Sequence, residues 1–221
     1  MGASRRWSSF LSLLLAAPLL YVAGSASPAG AAETYSAPFQ TALGDLTVRT
    51  ENRSGYTRDQ FKLWVDADGD GCDTRKEVLI VEADDPVSVG SGCALSGGRW
   101  FSYYDRVSWT DSGRIDIDHV VPLAEAWDSG ASAWTAAQRQ GYANDLADSR
   151  TLVGVTDSVN QSKGDQDPTT WMPTYDKCRY LREWVAVKIR WRLAVDSSEK
   201  SAISSLSSGC TNTTITVTRA I

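Results

Sequence analysis

Two short strand-like runs held apart by a helical insert constrain the fold of this chain more than any other feature. Arg114-Ile115-Asp116-Ile117 alternates polar and apolar residues as a half-buried strand does. Asp118 and His119 stand at its end, and Pro122 stops it, because proline cannot donate to a strand ladder. A second apolar run, Thr151 to Val155, is followed by a polar segment that can open a helix with Asn160 and Lys163 on adjacent turns. The insert of about 30 residues carries its own structure. One helical piece spans Leu123 to Trp127, and Ser132 caps a second that runs from about Trp134 to Leu146.

The chain has one histidine, so chemistry that needs a neutral imidazole near pH 7 must use His119. Hydrolysis of a phosphodiester needs an activated water, neutralised phosphate oxygens and help for the departing oxygen. An imidazole supplies the base, and one hard divalent ion supplies the rest. The Asp118 carboxylate and the Asn160 side-chain carbonyl are oxygen donors of the kind Mg²⁺ takes while keeping several waters. Lys163, Arg150 and Arg75 are candidate phosphate contacts. Glu125 and Asp128 read as helix surface rather than ligands.

These residues resemble a known family. Asp118-His119 with Asn160-Gln161-Ser162-Lys163, the run His119 to Ala131, Ala143-Asn144-Asp145, Trp171-Met172-Pro173 and Cys72-Asp73-Thr74-Arg75 are similar to the secreted HNH, or ββα-metal, endonucleases related to the C-terminal domain of GmrSD-type restriction enzymes. The Cys178-to-Cys210 tail looks like the same family, so the resemblance covers nearly all of the chain after its leader. It implies an α+β fold: a ββα-metal core with a small antiparallel sheet, a helical insert between the catalytic strands, a C-terminal helical cap and two disulfides. It further implies His119 as general base and Asp118 and Asn160 as ligands of a divalent metal, for which Mg²⁺ or Mn²⁺ is expected; the chain is expected to be a monomer. The implied activity is cleavage of DNA, with the choice between DNA and RNA left open, with little sequence preference, leaving 5′-phosphate and 3′-hydroxyl ends. One position departs. Nine residues before Asn160, where many relatives carry an asparagine that fixes the histidine ring, stands Thr151. A threonine hydroxyl, a backbone carbonyl or Asn144 is left to hold the ring.

Residues 1–32 read as an export signal, with Arg5 and Arg6 ahead of an apolar run from Leu11 to Ala23 and small residues at Ala29-Gly30-Ala31. The paired arginines also raise a twin-arginine route. No later stretch is apolar enough to span a bilayer, so the rest, residues 33–221, is expected to be one extracellular domain. Four cysteines in an exported chain read as two disulfides with three possible pairings. Cys72 with Cys93 and Cys178 with Cys210 are favoured because each closes a local loop, on the order of 3 kcal/mol apiece.

A formal net charge of −5 argues mildly against a nucleic-acid partner, but its distribution matters more. Residues 33–149 carry 20 acidic and 10 basic side chains, whereas residues 150–192 carry 5 and 8, a locally basic arm able to meet phosphates. Asp66, Asp68, Asp70 and Glu77 satisfy a calcium-loop spacing, with Gly71 at its sixth position and Asp73 where an aliphatic residue is usual. That loop supports a rival reading, a disulfide-bonded calcium-binding surface module. Thr151 supports another, a degenerate domain that binds nucleic acid without cutting it.

Among the remaining elements, Ala37 to Leu46 reads as a short helix, Phe61 and Trp64 as a helical turn, Val78 to Val81 as a buried strand, and Trp100 to Asp105 as a strand of the sheet that ends at Asp118 and His119. From Cys178 to Val195 a helix places Tyr180, Trp184, Val187 and Trp191 on a core face, with Arg179, Arg182 and Arg190 opposite. Asp196 and Glu199 start a last helix, and Ile215 and Val217 mark an edge strand.

Overall fold

The computed structural model describes residues 33–221, so the expected export signal lies outside the described residues. In chain order the elements are β1 (Thr34–Pro38), α1 (Phe39–Asp45), α2 (Thr74–Val81), β2 (Asp85–Val89), β3 (Leu95–Ser102), β4 (Val107–Trp109), β5 (Ile115–His119), α3 (Leu123–Asp128), α4 (Ala136–Ala143), β6 (Leu152–Thr156), α5 (Asp157–Lys163), α6 (Lys177–Arg190), α7 (Ser197–Leu206) and β7 (Thr214–Thr218). The fold is α+β, with three small antiparallel sheets: β1 with β7, β2-β3-β4, and β5 with β6.

The core forms around α6, whose aromatic stripe is buried as its 3.6-residue period requires. Tyr180, Trp184 and Val187 are essentially inaccessible, and the insert's Tyr142 packs edge-on against Trp191. α6 also buries charge. The Lys188 ammonium bonds Glu125 (2.6 Å), Ser129 (2.8 Å), Glu199 (2.8 Å) and the Ala194 carbonyl (2.9 Å). Glu125 and Asp128 therefore lie inside, not on the helix surface, because Lys188 and Arg53 compensate them. Arg190 is likewise buried on Asp145 (2.7 Å) rather than facing water with Arg179.

Both disulfides join the local pairs. Cys72–Cys93 closes the acidic loop onto the turn before β3, and Cys178–Cys210 closes the first turn of α6 onto the chain after α7.

Several local expectations change. Val78 to Val81 is the end of α2, not a strand: Asp73 accepts the Lys76 amide as an N-cap, and Val81 is exposed. A four-residue apolar run does not discriminate helix from strand, so the cap decides. α4 begins after Thr135, which forms a capping box with Gln138 in place of Ser132, and it ends at Ala143. The helical turn near Phe61 is confined to Arg58–Gln60, and Trp64 beyond it has a left-handed backbone (φ 51°). Finally, β5 leaves the β2-β3-β4 sheet and pairs with β6 instead, with Asp118 opposite Val153 and His119 opposite Leu152. β6 is buried along its whole length, and a Cβ at Gly154 would lie 2.7 Å from Glu82 and 3.3 Å from Ile115. Glycine lets α2 and β5 close over the strand at that point.

Candidate active site

Where β5 ends, two adjacent side chains that a continuing strand would send to opposite faces share one pocket. Val120 still donates to the Thr151 carbonyl (3.1 Å), and Pro122 then turns the chain into α3. The cavity, about 200 Å³, is lined by Asp118 and His119, by Asn160, Gln161, Gly164 and Asp165 of α5 and its exit, and by Arg58, Ile117, Pro122 and Leu123.

His119 is buried between two aromatic rings, Trp64 at 5.8 Å and Tyr142 at 6.0 Å, each tilted about 30° from it. Its Nε2 lies 3.0 Å from the Ala143 carbonyl oxygen. A carbonyl can only accept, so Nε2 carries the proton and Nδ1 keeps its lone pair. Of the three candidates for holding the ring, the backbone carbonyl does so. Thr151 donates to Asp145 (2.9 Å), and Asn144 accepts from the Val65 amide (3.0 Å) and donates to the Lys62 carbonyl (2.7 Å), which holds the strained loop carrying Trp64. Burial lowers the His119 pKa to about 4, with Arg58 and Lys163 pushing the same way and the Ala143 carbonyl opposing. The ring is neutral at pH 7.

Asp118 receives both of its hydrogen bonds on Oδ2, from the Tyr104 hydroxyl (2.6 Å) and the Lys163 ammonium (2.5 Å). Burial pushes its carboxyl up and the Lys163 ammonium down, and each partner opposes the shift of the other. Oδ1 is left free of both bonds. Asn160 donates its amide to Asp116 Oδ2 (3.3 Å), which leaves its own carbonyl oxygen unengaged.

Lys163 does not meet the expectation of a phosphate contact. Its ammonium is fully buried and also bonds the carbonyls of His119 (2.8 Å) and Val120 (3.0 Å), tying α5 to the bend after β5. Arg150 folds onto Asp148 (2.6 Å) and the Thr216 carbonyl (2.9 Å), and Arg75 holds the Ile115 carbonyl (2.8 Å) at the start of β5; neither lines the pocket. Conversely Arg58, Trp64 and Tyr104 carry no site signal in the sequence, and which backbone carbonyl holds the ring, that of Ala143, is settled only in the fold. No spacing rule singles out a carbonyl or a tyrosine in the turn between β3 and β4, and Trp64 carries only a core-aromatic signal.

The acidic loop lies apart from this pocket. Asp66 accepts the Gly69 (2.8 Å) and Gly71 (3.0 Å) amides, and oxygens of Asp66, Asp68 and Asp70 come within 4.8 Å of one another. Glu77, on α2, groups with Asp70 and Cys72 instead. Burial and the three aspartates raise its carboxyl pKa. A larger cavity of about 260 Å³ beside α2, lined by Val78, Val81, Leu146 and Leu152, is mostly apolar and has no histidine.

Residues 91–206 match the family described as GmrSD restriction endonucleases, C-terminal domain. An uncharacterized secreted protein of Arthroderma benhamiae (strain ATCC MYA-4681 / CBS 112371) is 47% identical over 174 residues, covering 77% of this chain and 84% of that protein. No solved structure matches. The two disulfides and the secreted relative agree on an extracellular location for this chain. With that match spanning the pocket's Asp118, His119 and Asn160, the chain belongs to the family of the GmrSD restriction endonuclease C-terminal domain, a nuclease-related family.

Proposed function

We propose that this protein is a metal-dependent endonuclease that hydrolyses phosphodiester bonds of DNA, and of RNA, with little sequence preference, and that β5, β6 and α5 form an HNH ββα-metal core. The observation that carries the reading is a neutral, ring-clamped His119 beside two unengaged oxygen donors in one pocket. Asp118 Oδ1 and the Asn160 carbonyl oxygen suit a hard ion, Mg²⁺ or Mn²⁺, that takes one or two protein oxygens and keeps waters. Bound there, such an ion would neutralise phosphate oxygens and stabilise the departing 3′ oxygen.

The protein's own groups do the rest. His119 Nδ1 takes a proton from the attacking water, and the Ala143 carbonyl with the two flanking rings keeps that nitrogen turned to the pocket. The water oxygen bonds to phosphorus as the bond to the 3′ oxygen breaks, and the departing oxygen takes a proton from solvent, leaving a 5′-phosphate and a 3′-hydroxyl. Tyr104 and Lys163 hold Asp118 Oδ2, so that Oδ1 is the oxygen presented.

A plasmid-nicking assay with Mg²⁺ or Mn²⁺, with and without chelator, tests the reading directly. Wild-type protein is expected to nick, and His119→Ala to lose about two to four orders of magnitude, the usual worth of a positioned base. Activity that survives the substitution overturns it. Binding without nicking by wild-type protein identifies a degenerate member instead.

A further inference from the structure

The arginines near the candidate site are almost all committed within the fold. Arg53 pairs with Asp128 (2.6 Å), Arg75 with the Ile115 carbonyl (2.8 Å), Arg150 with Asp148 (2.6 Å) and Arg190 with Asp145 (2.7 Å). The one lysine of α5 that the sequence offered to phosphate is buried under Asp118. Arg58 differs on each count. Its side chain makes no hydrogen bond or ion pair among the described residues, it is exposed, and it stands on the wall of the pocket that holds His119, Asp118 and Asn160.

Its backbone, by contrast, is held firmly. Arg58 opens a one-turn 3-10 helix in which its carbonyl accepts the Phe61 amide (3.1 Å). Phe61 is buried against Trp127 (6.5 Å) and Tyr142 (6.2 Å), and Tyr142 is one of the two rings that sandwich His119. Arg139 adds a bond to the Gln60 carbonyl (3.2 Å). A charged side chain with no partner, on a fixed base at the rim of a polar cavity, is pre-organised for an anion, and the planar guanidinium fork suits two oxygens of one phosphate.

We propose that Arg58 is the substrate-anchoring residue of this site and binds a backbone phosphate of the nucleic acid beside His119. It takes the role that the sequence offered to Lys163, Arg150 and Arg75. The proposal rests on the nuclease reading for the nature of its ligand, while anion binding by Arg58 is measurable without turnover.

The test is fluorescence anisotropy with a labelled oligothymidylate, run with the full mature chain in EDTA across a series of salt concentrations. The variants are Arg58→Ala, Arg58→Lys and, as a control on α6 outside the pocket lining, Arg182→Ala. Arg58→Ala is expected to weaken binding about tenfold and to lower the salt slope by about one, the signature of one lost phosphate contact. Arg58→Lys is expected to recover the slope and part of the affinity, and Arg182→Ala to match wild type. Arg58 is exposed, so thermal melting should be unchanged in both Arg58 variants, which separates lost binding from lost fold. Binding by Arg58→Ala within twofold of wild type with an unchanged slope overturns the proposal, as does wild-type protein that does not bind. If wild-type protein binds through Arg58 but never cuts with Mg²⁺ or Mn²⁺, the anchor stands and the hydrolytic reading falls.

Discussion

Replacing Lys163 by methionine separates a structural strut from a substrate contact. Methionine keeps most of the side-chain volume and removes the ammonium. The change strands the buried Asp118 carboxylate and takes a donor from the carbonyls of His119 and Val120, all within 3.0 Å of the lost nitrogen. Breaking one side of a buried pair costs about 3–5 kcal/mol, because the remaining charge is left uncompensated. For a domain of this size each kcal/mol moves the melting temperature by about 2–4 °C, so the loss should be roughly 6–20 °C. Urea unfolding followed by the fluorescence of the eight tryptophans of residues 33–221, with both disulfides intact, reads the same quantity. Adding Asp118→Asn should give a double variant less destabilised than the two single costs summed, with a coupling of about 0.5–3 kcal/mol, since the stranded charge is then gone. A cost below about 1 kcal/mol, with weaker and less salt-sensitive binding of nucleic acid, would refute the strut and return Lys163 to the substrate.

Two further outcomes follow from particular groups. Glu82 is half-buried under the Gly154 amide (2.6 Å), and burial raises its pKa to about 7. Its folded pKa stands above the unfolded value, so the fold is favoured below about pH 4.5 and loses stability as pH rises toward 7. Glu82→Gln keeps an acceptor for Gly154 and removes that loss. It should be about 1–2 kcal/mol more stable than wild type at pH 8, after allowance for solvent screening, and not at pH 4. Equal effects at both pH values in urea titrations would contradict this. For the acidic loop, Ca²⁺ is expected to raise the melting temperature of wild-type protein and to leave Asp68→Ala unmoved, and a calcium-independent melt rules the loop out as a cation site.

The legible parts of the site were those with local signals. The alternation from Arg114 to Ile117 and the apolar run from Thr151 announce β5 and β6, and the polar stretch after them opens α5. A strand end after a single histidine places Asp118 and His119, and one turn of helix places Asn160. The aromatic stripe of α6 and the short cysteine loops are equally local, and both formed, although the helix stops at Arg190 with Trp191 as its cap rather than running to Val195.

What only the tertiary structure decided is which partners those residues meet. A lysine one turn after Asn160 looks like a phosphate contact until α5 packs its ammonium beneath Asp118, a carboxylate 45 positions earlier. The ring of His119 is held by a carbonyl 24 positions later, and any residue type at 143 carries that carbonyl, so no side-chain pattern could name it. Arg58 reaches the pocket because Phe61 is buried under the insert, a packing event written in no spacing between 58 and 119. Periodicity and capping are properties of neighbours in the chain, and so they belong to the sequence. Desolvation and charge pairing are properties of neighbours in space, and they are settled only when the chain has closed on itself.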